Sequence, residues 1–373
     1  MRNILQFLSF AALLIMITLQ GCSSPEGRLS KGEPAPSEYY SLDDYDSVEK
    51  IDSHVHVETR DSTFINQAIR DNFKLLTINY DDVNEPPPME IQQAFAIYQL
   101  EQFPGRINYA TTISIREFNT DNWIAKTLDY IKNSIANGAK AVKIYKVIGM
   151  SLRDKKGKIV MIDNPRFDSI FDYLEKNNIP VVGHLGEPRN CWLPADKMTI
   201  KGDASYFTSQ PEYHMYLHPD MPSFEDQIRA RDNMLAKHPK LIFVGAHLGS
   251  LEWNVDSLAA RLDRFPNMAV DMAARIDHFE LQAKDNWQKV HDFLLKYSDR
   301  LLYATDIVVS EKSDPAGSAK SAHERWTNDW KFFTSDEKMK STQFDGDFSG
   351  LRLPKEAIEN IYSRNAHKWL GIF

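Results

Sequence analysis

The sequence predicts an α/β protein built as a (β/α)8 TIM-type barrel with long loops after strands 5 and 8, and three observations predict it. From Val48 onward, short apolar or β-branched runs alternate with helical patterns, the rhythm of βα units around a mostly parallel sheet. Eight such runs precede the C-terminus, and the 48–373 body has the size that a single barrel of this kind fills. Polar residues also recur at the C-terminal ends of these otherwise apolar runs, and in a barrel those ends all face one mouth.

The first strand is expected at 50–57 and the second at 74–79. Pro86-Pro87-Pro88 then opens a helix over 90–102, with Phe95, Ile97 and Leu100 at apolar positions, and 107–115 reads as the third strand. Thr120 is expected to cap a helix in which Trp123, Ile124, Leu128, Ile131 and Ile135 recur at helical spacing until Gly138 ends it. Strand four follows at 141–145, a helix near 167–176, and strand five at 179–184.

Residues 185–222 form a stretch rich in aromatics that is too long for a plain connection and reads as a lid or binding loop. Ser223 with Asp226 makes a variant capping box for a helix running to Lys237. Strand six is expected at 241–247 and strand seven at 268–272, with a helix marked by Val255, Leu258, Leu262 and Phe265 between them. Strand eight is expected at 301–306. A second long excursion, 307–353, contains a helix over about 319–333, and Pro354 begins the closing helix with Ile358, Ile361 and Leu370 as packing positions.

Ahead of the body, Met1-Arg2-Asn3 and the apolar run 4–19 have the charged start and apolar core of a secretory signal, too short for a convincing membrane span. The run closes on Leu19-Gln20-Gly21-Cys22, which resembles the bacterial lipoprotein signal, in which the cysteine is lipidated. The expected organisation is therefore a signal peptide at 1–21, lipidation of Cys22, a flexible polar tether at 22–47 and the barrel at 48–373. It implies export to a bacterial cell envelope and a lipid anchor in a membrane. Cys191 is then a lone thiol. A formal net charge of −8, with no offsetting cluster of Lys and Arg, argues against nucleic acid and for a small-molecule substrate; the oligomeric state is left open.

The chemistry collects at the strand ends. His54 and His56, two apart on strand one, point to the same side about 7 Å apart along the strand, so both imidazoles can meet one metal ion. Strand four supplies Lys143, strand five His184, strand six His247 and strand eight Asp306, each where a buried strand ordinarily carries Val or Ile. Neutral imidazoles and a carboxylate suit a divalent metal, zinc being the expected ion, and an open position would lower the pKa of bound water from about 16 to about 7.

These residues, with Gly183-His184-Leu185-Gly186-Glu187-Pro188, Gly245-Ala246-His247-Leu248-Gly249 and Ala304-Thr305-Asp306, resemble the amidohydrolase superfamily, and within it the amidohydrolase-related (amidohydrolase 2) branch. The resemblance covers nearly all of 48–373. It implies that His54, His56, His184 and Asp306 hold the metal and that Asp306 takes the proton from the attacking water. It makes His247 either a further ligand or the residue that activates or orients substrate. In binuclear members a lysine on strand four is carboxylated and bridges two metals, whereas other members bind one metal without it, so one or two ions are expected. Lys143 is preferred to Lys146 for that place, and its carboxylation stays open, the alternative being a lysine that holds an anionic substrate.

Arg116, Glu187, Arg189 and Arg275 follow strand ends and are candidate substrate contacts, with surface salt bridges as the competing reading. Trp192, Tyr206 and Trp326 are candidate loop aromatics over a ligand. His238, His278, His291 and His367 read as structural, and His214, His218 and His323 are undecided. The leading expectation is a metal-dependent hydrolase of an ester, lactone or amide. A metal-dependent decarboxylase and a non-catalytic ligand-binding lipoprotein are the alternatives.

Overall fold

The computed structural model describes residues 38–82 and 87–373. The expected signal peptide, Cys22 and most of the tether lie outside the described residues. From Glu38 the chain is already docked on the body: Tyr39 bridges to Pro354, the Tyr40 hydroxyl donates to Glu359, and Trp330 Nε1 donates to the Ser41 carbonyl. The last ten positions of the expected tether, 38–47, thus belong to the folded unit that runs from Glu38 to Phe373.

The strands are β1 (Lys50–Glu58), β2 (Phe73–Ile78), β3 (Ile107–Thr112), β4 (Ala141–Ile144), β5 (Val181–Gly183), β6 (Phe243–Gly245), β7 (Met268–Asp271), β8 (Leu301–Leu302) and β9 (Ile307–Ser310). They form one sheet in the order β8-β7-β6-β5-β4-β3-β2-β1-β9, with every neighbouring pair parallel. All nine residues of β1 are buried, as expected of a parallel strand covered on both faces.

The expected eighth strand is split. β8 pairs with β7, and four residues later β9 pairs with β1, so the two pieces make one broken stave that closes the barrel on itself. Across the break, Ser53 N–H donates to the Tyr303 carbonyl and Asp306 N–H to that of His54. The break has a local cause. Asp306 takes a left-handed conformation at φ 66, and Thr305 is tied back to Asp52, which accepts from its N–H at 3.0 Å and its hydroxyl at 2.6 Å.

Helices cover the outside, including Met89–Gln102, Asp168–Lys176 and Val255–Arg264 close to their expected bounds. Thr120 does not cap the next helix: Trp123–Ala136 starts from Asn122, and the Thr120 hydroxyl donates to Glu117 and Asn122 instead. Ser223 does cap Phe224–Lys237, with reciprocal bonds between its hydroxyl and backbone and Asp226. Trp369, Leu370 and Ile372 at the C-terminus form a second, smaller core with Ile51, Leu76, Val182 and Val244 of the strands.

The two excursions meet. After β5 the chain makes short turns of helix and the helix Lys201–Ser209; after β9 it makes the helix Pro315–Thr334 and the hairpin Lys338–Lys340 with Asp347–Ser349. The second helix is longer than expected because Asp314 caps it and Pro315 starts it. Gln343, in the hairpin turn, accepts from the N–H groups of Lys201 and Gly202, and Lys201 Nζ lies 2.6 Å from Asp345, so the excursions are joined above the barrel mouth.

Candidate metal centre

His54 is fully buried, and its Nδ1 lies 2.8 Å from Oδ2 of Asp271, at the end of β7. The carboxylate accepts, so Nδ1 carries the proton and the Nε2 lone pair faces the mouth. His54 Nε2 and His56 Nε2 each lie 3.4 Å from Oδ1 of Asp306. Four ligands around a tetrahedral zinc at 2.0–2.1 Å stand about 3.3–3.4 Å apart, so this trio fits an ion at its centre. Among the described residues, these three are the group whose ligand atoms all lie within 4.8 Å of one another.

His184, at the end of β5, lies outside that trio but on the wall of the same cavity, of about 450 Å³. Its Nε2 is buried without a hydrogen-bond partner and has Glu187 Oε2 at 3.7 Å. Such an orphaned nitrogen fits a ligand role. His247 packs between the two, its ring centroid 4.2 Å from that of His184 and 5.1 Å from that of His54. It begins a run of four left-handed residues, His247, Leu248, Gly249 and Ser250, at φ 58, 56, 60 and 55. A conformation unfavourable for L-residues holds here because His247 N–H donates to Asp271 and its Nδ1 to the Ala273 carbonyl. The His247 Nε2 is therefore an acceptor.

Lys143 lies on the same wall, 1 % exposed, with Nζ 3.1 Å from His54 Nε2. Lys146 also lines the cavity. It is occupied elsewhere: Nζ lies 2.6 Å from Glu187 Oε1 and 4.7 Å from the centroid of the Tyr213 ring. Of the two lysines, Lys143 is the one whose amine lies against a strand-one histidine.

Burial sets the protonation states. It pushes His54 well below its ordinary value, helped by Lys143, takes His184 down to about 4, and with His184 holds His247 well below the usual range. Burial alone would raise Asp306, but His247, His56 and His54 together hold it well below the usual carboxylate range. Burial brings Lys143 down to about 8. At neutral pH His54, His184 and His247 are thus neutral imidazoles and Asp306 an ionised carboxylate, the forms that bind metal.

The substrate candidates divide. Arg275 lines the cavity. Glu187 does too, but as the buried partner of Lys146, which overrides burial and holds its carboxyl well below the usual range, so it is not a free substrate contact. Arg189 turns away onto the Trp253 ring at 4.0 Å, and Arg116 is held by Asp81 and Glu90; neither lines the cavity. Tyr206 lines it, whereas Trp326 is a core residue bonded to Asp52, and Trp192 donates to Pro222. His214, His218 and His323 bond to Leu193, Pro211 and Asp71 respectively, away from the mouth.

Asp271, Asp203 and Arg325 were missed from the sequence. An aspartate inside Met-Ala-Val-Asp-Met, an otherwise apolar strand, is the signal that marks Asp271. Asp203 and Arg325 sit on the excursions, where no periodicity singles them out.

A parallel barrel that gathers two imidazoles and a carboxylate at the C-terminal ends of its strands is the frame of an amidohydrolase-type metal enzyme. The chain belongs to the amidohydrolase family, whose model matches residues 115–372, taking in Lys143, His184, His247 and Asp306 but not His54 and His56. It is similar to an uncharacterised TIM-barrel protein of Bordetella bronchiseptica at 13 % identity and a TM-score of 0.50, covering 87 % of this chain and 99 % of that one, a likeness that shows the fold. A uronate isomerase of Bacillus halodurans C-125 matches at 12 % identity and a TM-score of 0.44, over 84 % of this chain and 69 % of that one. A curated relative, toxin coregulated pilus biosynthesis protein B of Vibrio cholerae serotype O1, is 27 % identical over 99 residues, which are 26 % of this chain. The match spans about a quarter of that relative's length, 23 %.

Proposed function

We propose that this protein is a metal-dependent hydrolase that uses activated water to cleave an ester, lactone or amide of a small molecule. The observation that carries the reading is the placement of Asp306 Oδ1 at 3.4 Å from both His54 Nε2 and His56 Nε2. These residues, joined by His184, would hold the ion. A divalent metal there supplies Lewis acidity and makes water a nucleophile at neutral pH.

The chain's own part follows from its protonation states. Asp306, ionised and lining the cavity, accepts the proton released as water attacks. With its Nδ1 proton committed to Ala273, His247 offers only a lone pair to the cavity, so it serves as ligand or proton acceptor rather than as a donor polarising a carbonyl. The joined excursions cover the mouth and limit water around the reacting group.

The test is metal analysis of the purified protein together with a screen of lactones, esters, amides and aromatic acids. Metal at one or more equivalents with hydrolysis supports the reading. Metal with decarboxylation, or with no turnover across the panel, replaces it with one of the alternatives. We further propose export to the cell envelope and lipid attachment at Cys22, supported by the 1–21 leader. Cys22→Ala should abolish incorporation of labelled fatty acid and release the protein from membranes.

A further inference from the structure

The cavity over the metal centre is not the whole cleft. A second cavity, of about 560 Å³, adjoins it, and Thr305, Asp306, Val308 and Arg325 line both. Its long wall is one face of the helix Pro315–Thr334, where Gly317, Ser318, Ser321 and Ala322 recur at helical spacing ahead of Arg325. Small side chains there leave the space open, and Arg325 stands where the two lobes join.

Arg325 is held but not saturated. Its Nε lies 3.0 Å from Asp329 Oδ2 and its Nη1 3.6 Å from Asp277 Oδ2, while Nη2 has no hydrogen-bond partner. Arg275, on the wall of the first lobe, is similar: Nη1 donates to the Ala274 carbonyl, Asp203 stands 3.9 Å away, and Nε is buried without a partner. A guanidinium N–H that no protein group accepts, on a side chain lining a cleft, is the donor that an arriving oxyanion satisfies.

The charge of the cleft points the same way. In a chain of formal net charge −8, the wall of the first lobe carries four cationic side chains against four carboxylates. A divalent ion would turn that balance into a positive excess, which draws anions into the cleft.

We propose that Arg325, seconded by Arg275, seats an oxyanionic group of the substrate, a carboxylate or phosphate. The rest of the molecule extends along the serine-bearing face of the helix into the second lobe. The substrate is then an elongated anion rather than a compact neutral ester. Because Asp306 lines both lobes, a group anchored at Arg325 places its neighbouring carbonyl beside the metal centre. The proposal deepens the hydrolase reading and rests on it for the position of the cleaved bond.

The experiment is calorimetric titration of the zinc-loaded full-length protein, and of Arg325→Gln and Arg325→Lys, with glutarate, methyl phosphate and uncharged glutaramide. Zinc content and thermal melting are read on the same samples. The expected result is that glutarate or methyl phosphate binds the wild type at least tenfold more tightly than Arg325→Gln, with Arg325→Lys between them and glutaramide unaffected. Equal anion affinity in the wild type and a folded variant, or no anion binding by the wild type, overturns the proposal. Should Arg325→Gln fail to fold, Arg325→Lys, which keeps the charge opposite Asp277 and Asp329 but loses the fork, carries the comparison. Anion binding without zinc keeps this inference and sinks the metal reading; zinc without anion binding does the reverse.

Discussion

His54 Nδ1 lies 2.8 Å from Asp271 Oδ2 with both side chains buried, so a carboxylate on β7 decides which nitrogen of a β1 histidine faces the mouth. Through Oδ1 the same carboxylate accepts from His247 N–H and Ala273 N–H, which ties three strand ends to one side chain. Partners of this kind typically carry 10- to 100-fold in metal affinity. Asp271→Asn keeps the shape but can turn an N–H toward Nδ1 in place of an acceptor. Zinc affinity, measured by competition with a chromogenic chelator, is expected to fall by roughly 10- to 100-fold in a variant that still folds. An unchanged affinity would mean that Asp271 only fills space.

Replacing both strand-one histidines tests the centre directly. His54→Ala with His56→Ala removes two of the three ligand atoms that converge at the mouth. A site left with one carboxylate and more distant imidazoles no longer offers zinc its coordination set. Metal content by elemental analysis is expected to drop from at least one equivalent to near zero. Stoichiometric metal in the folded double variant would refute the assignment.

The barrel was legible because strands covered on both faces read as continuous apolar runs and the intervening helices as 3.6-residue stripes. The broken eighth stave was not, because it depends on the left-handed Asp306 and on a tie from Thr305 to Asp52, a residue distant in sequence. His54, His56, His184, His247 and Asp306 stand out in the sequence because each is polar where a strand end should be apolar. Position after a strand does not say which way a long side chain turns. Arg116 is pulled outward by Asp81 and Glu90, Arg189 lies on Trp253, and Glu187 folds inward onto Lys146. Arg325 was beyond reach for a different reason: it sits in the middle of an excursion helix whose register over the cleft only the fold defines.

The Lys146–Glu187 pair is a structural clamp beside His184, with the two side chains 8 % and 5 % exposed and 2.6 Å apart. Removing one partner of a buried pair leaves an uncompensated charge and costs about 3–5 kcal/mol, whereas replacing both is far milder. Glu187→Gln is therefore expected to lower unfolding free energy by about 3 kcal/mol, and Lys146→Met added to it to recover much of the loss. Denaturant titration of the two single variants and the double variant gives the coupling. Additive losses would leave Glu187 free to act as the substrate contact that its place after β5 first suggested.

Glu280 controls the charge behind Arg325. It is 2 % exposed, and burial, reinforced by Asp277 and Asp329, pushes its carboxyl up to about 9 from an ordinary 4.5. Kept neutral, it leaves Asp277 and Asp329 as the guanidinium's carboxylate partners. Between those two values the folded chain holds a proton that the unfolded chain has released, so stability falls with rising pH across that window. The contribution is complete below 4.5 and is lost as pH rises through 9. Glutamine mimics the protonated form at every pH and removes this dependence. Glu280→Gln is thus expected to match the wild type near pH 5 and to exceed it by about 1 kcal/mol or more near pH 8, by urea denaturation at both values. A difference between the two proteins that does not grow over that interval would show that Glu280 is ionised in the folded chain, and Arg325 would then face a third carboxylate.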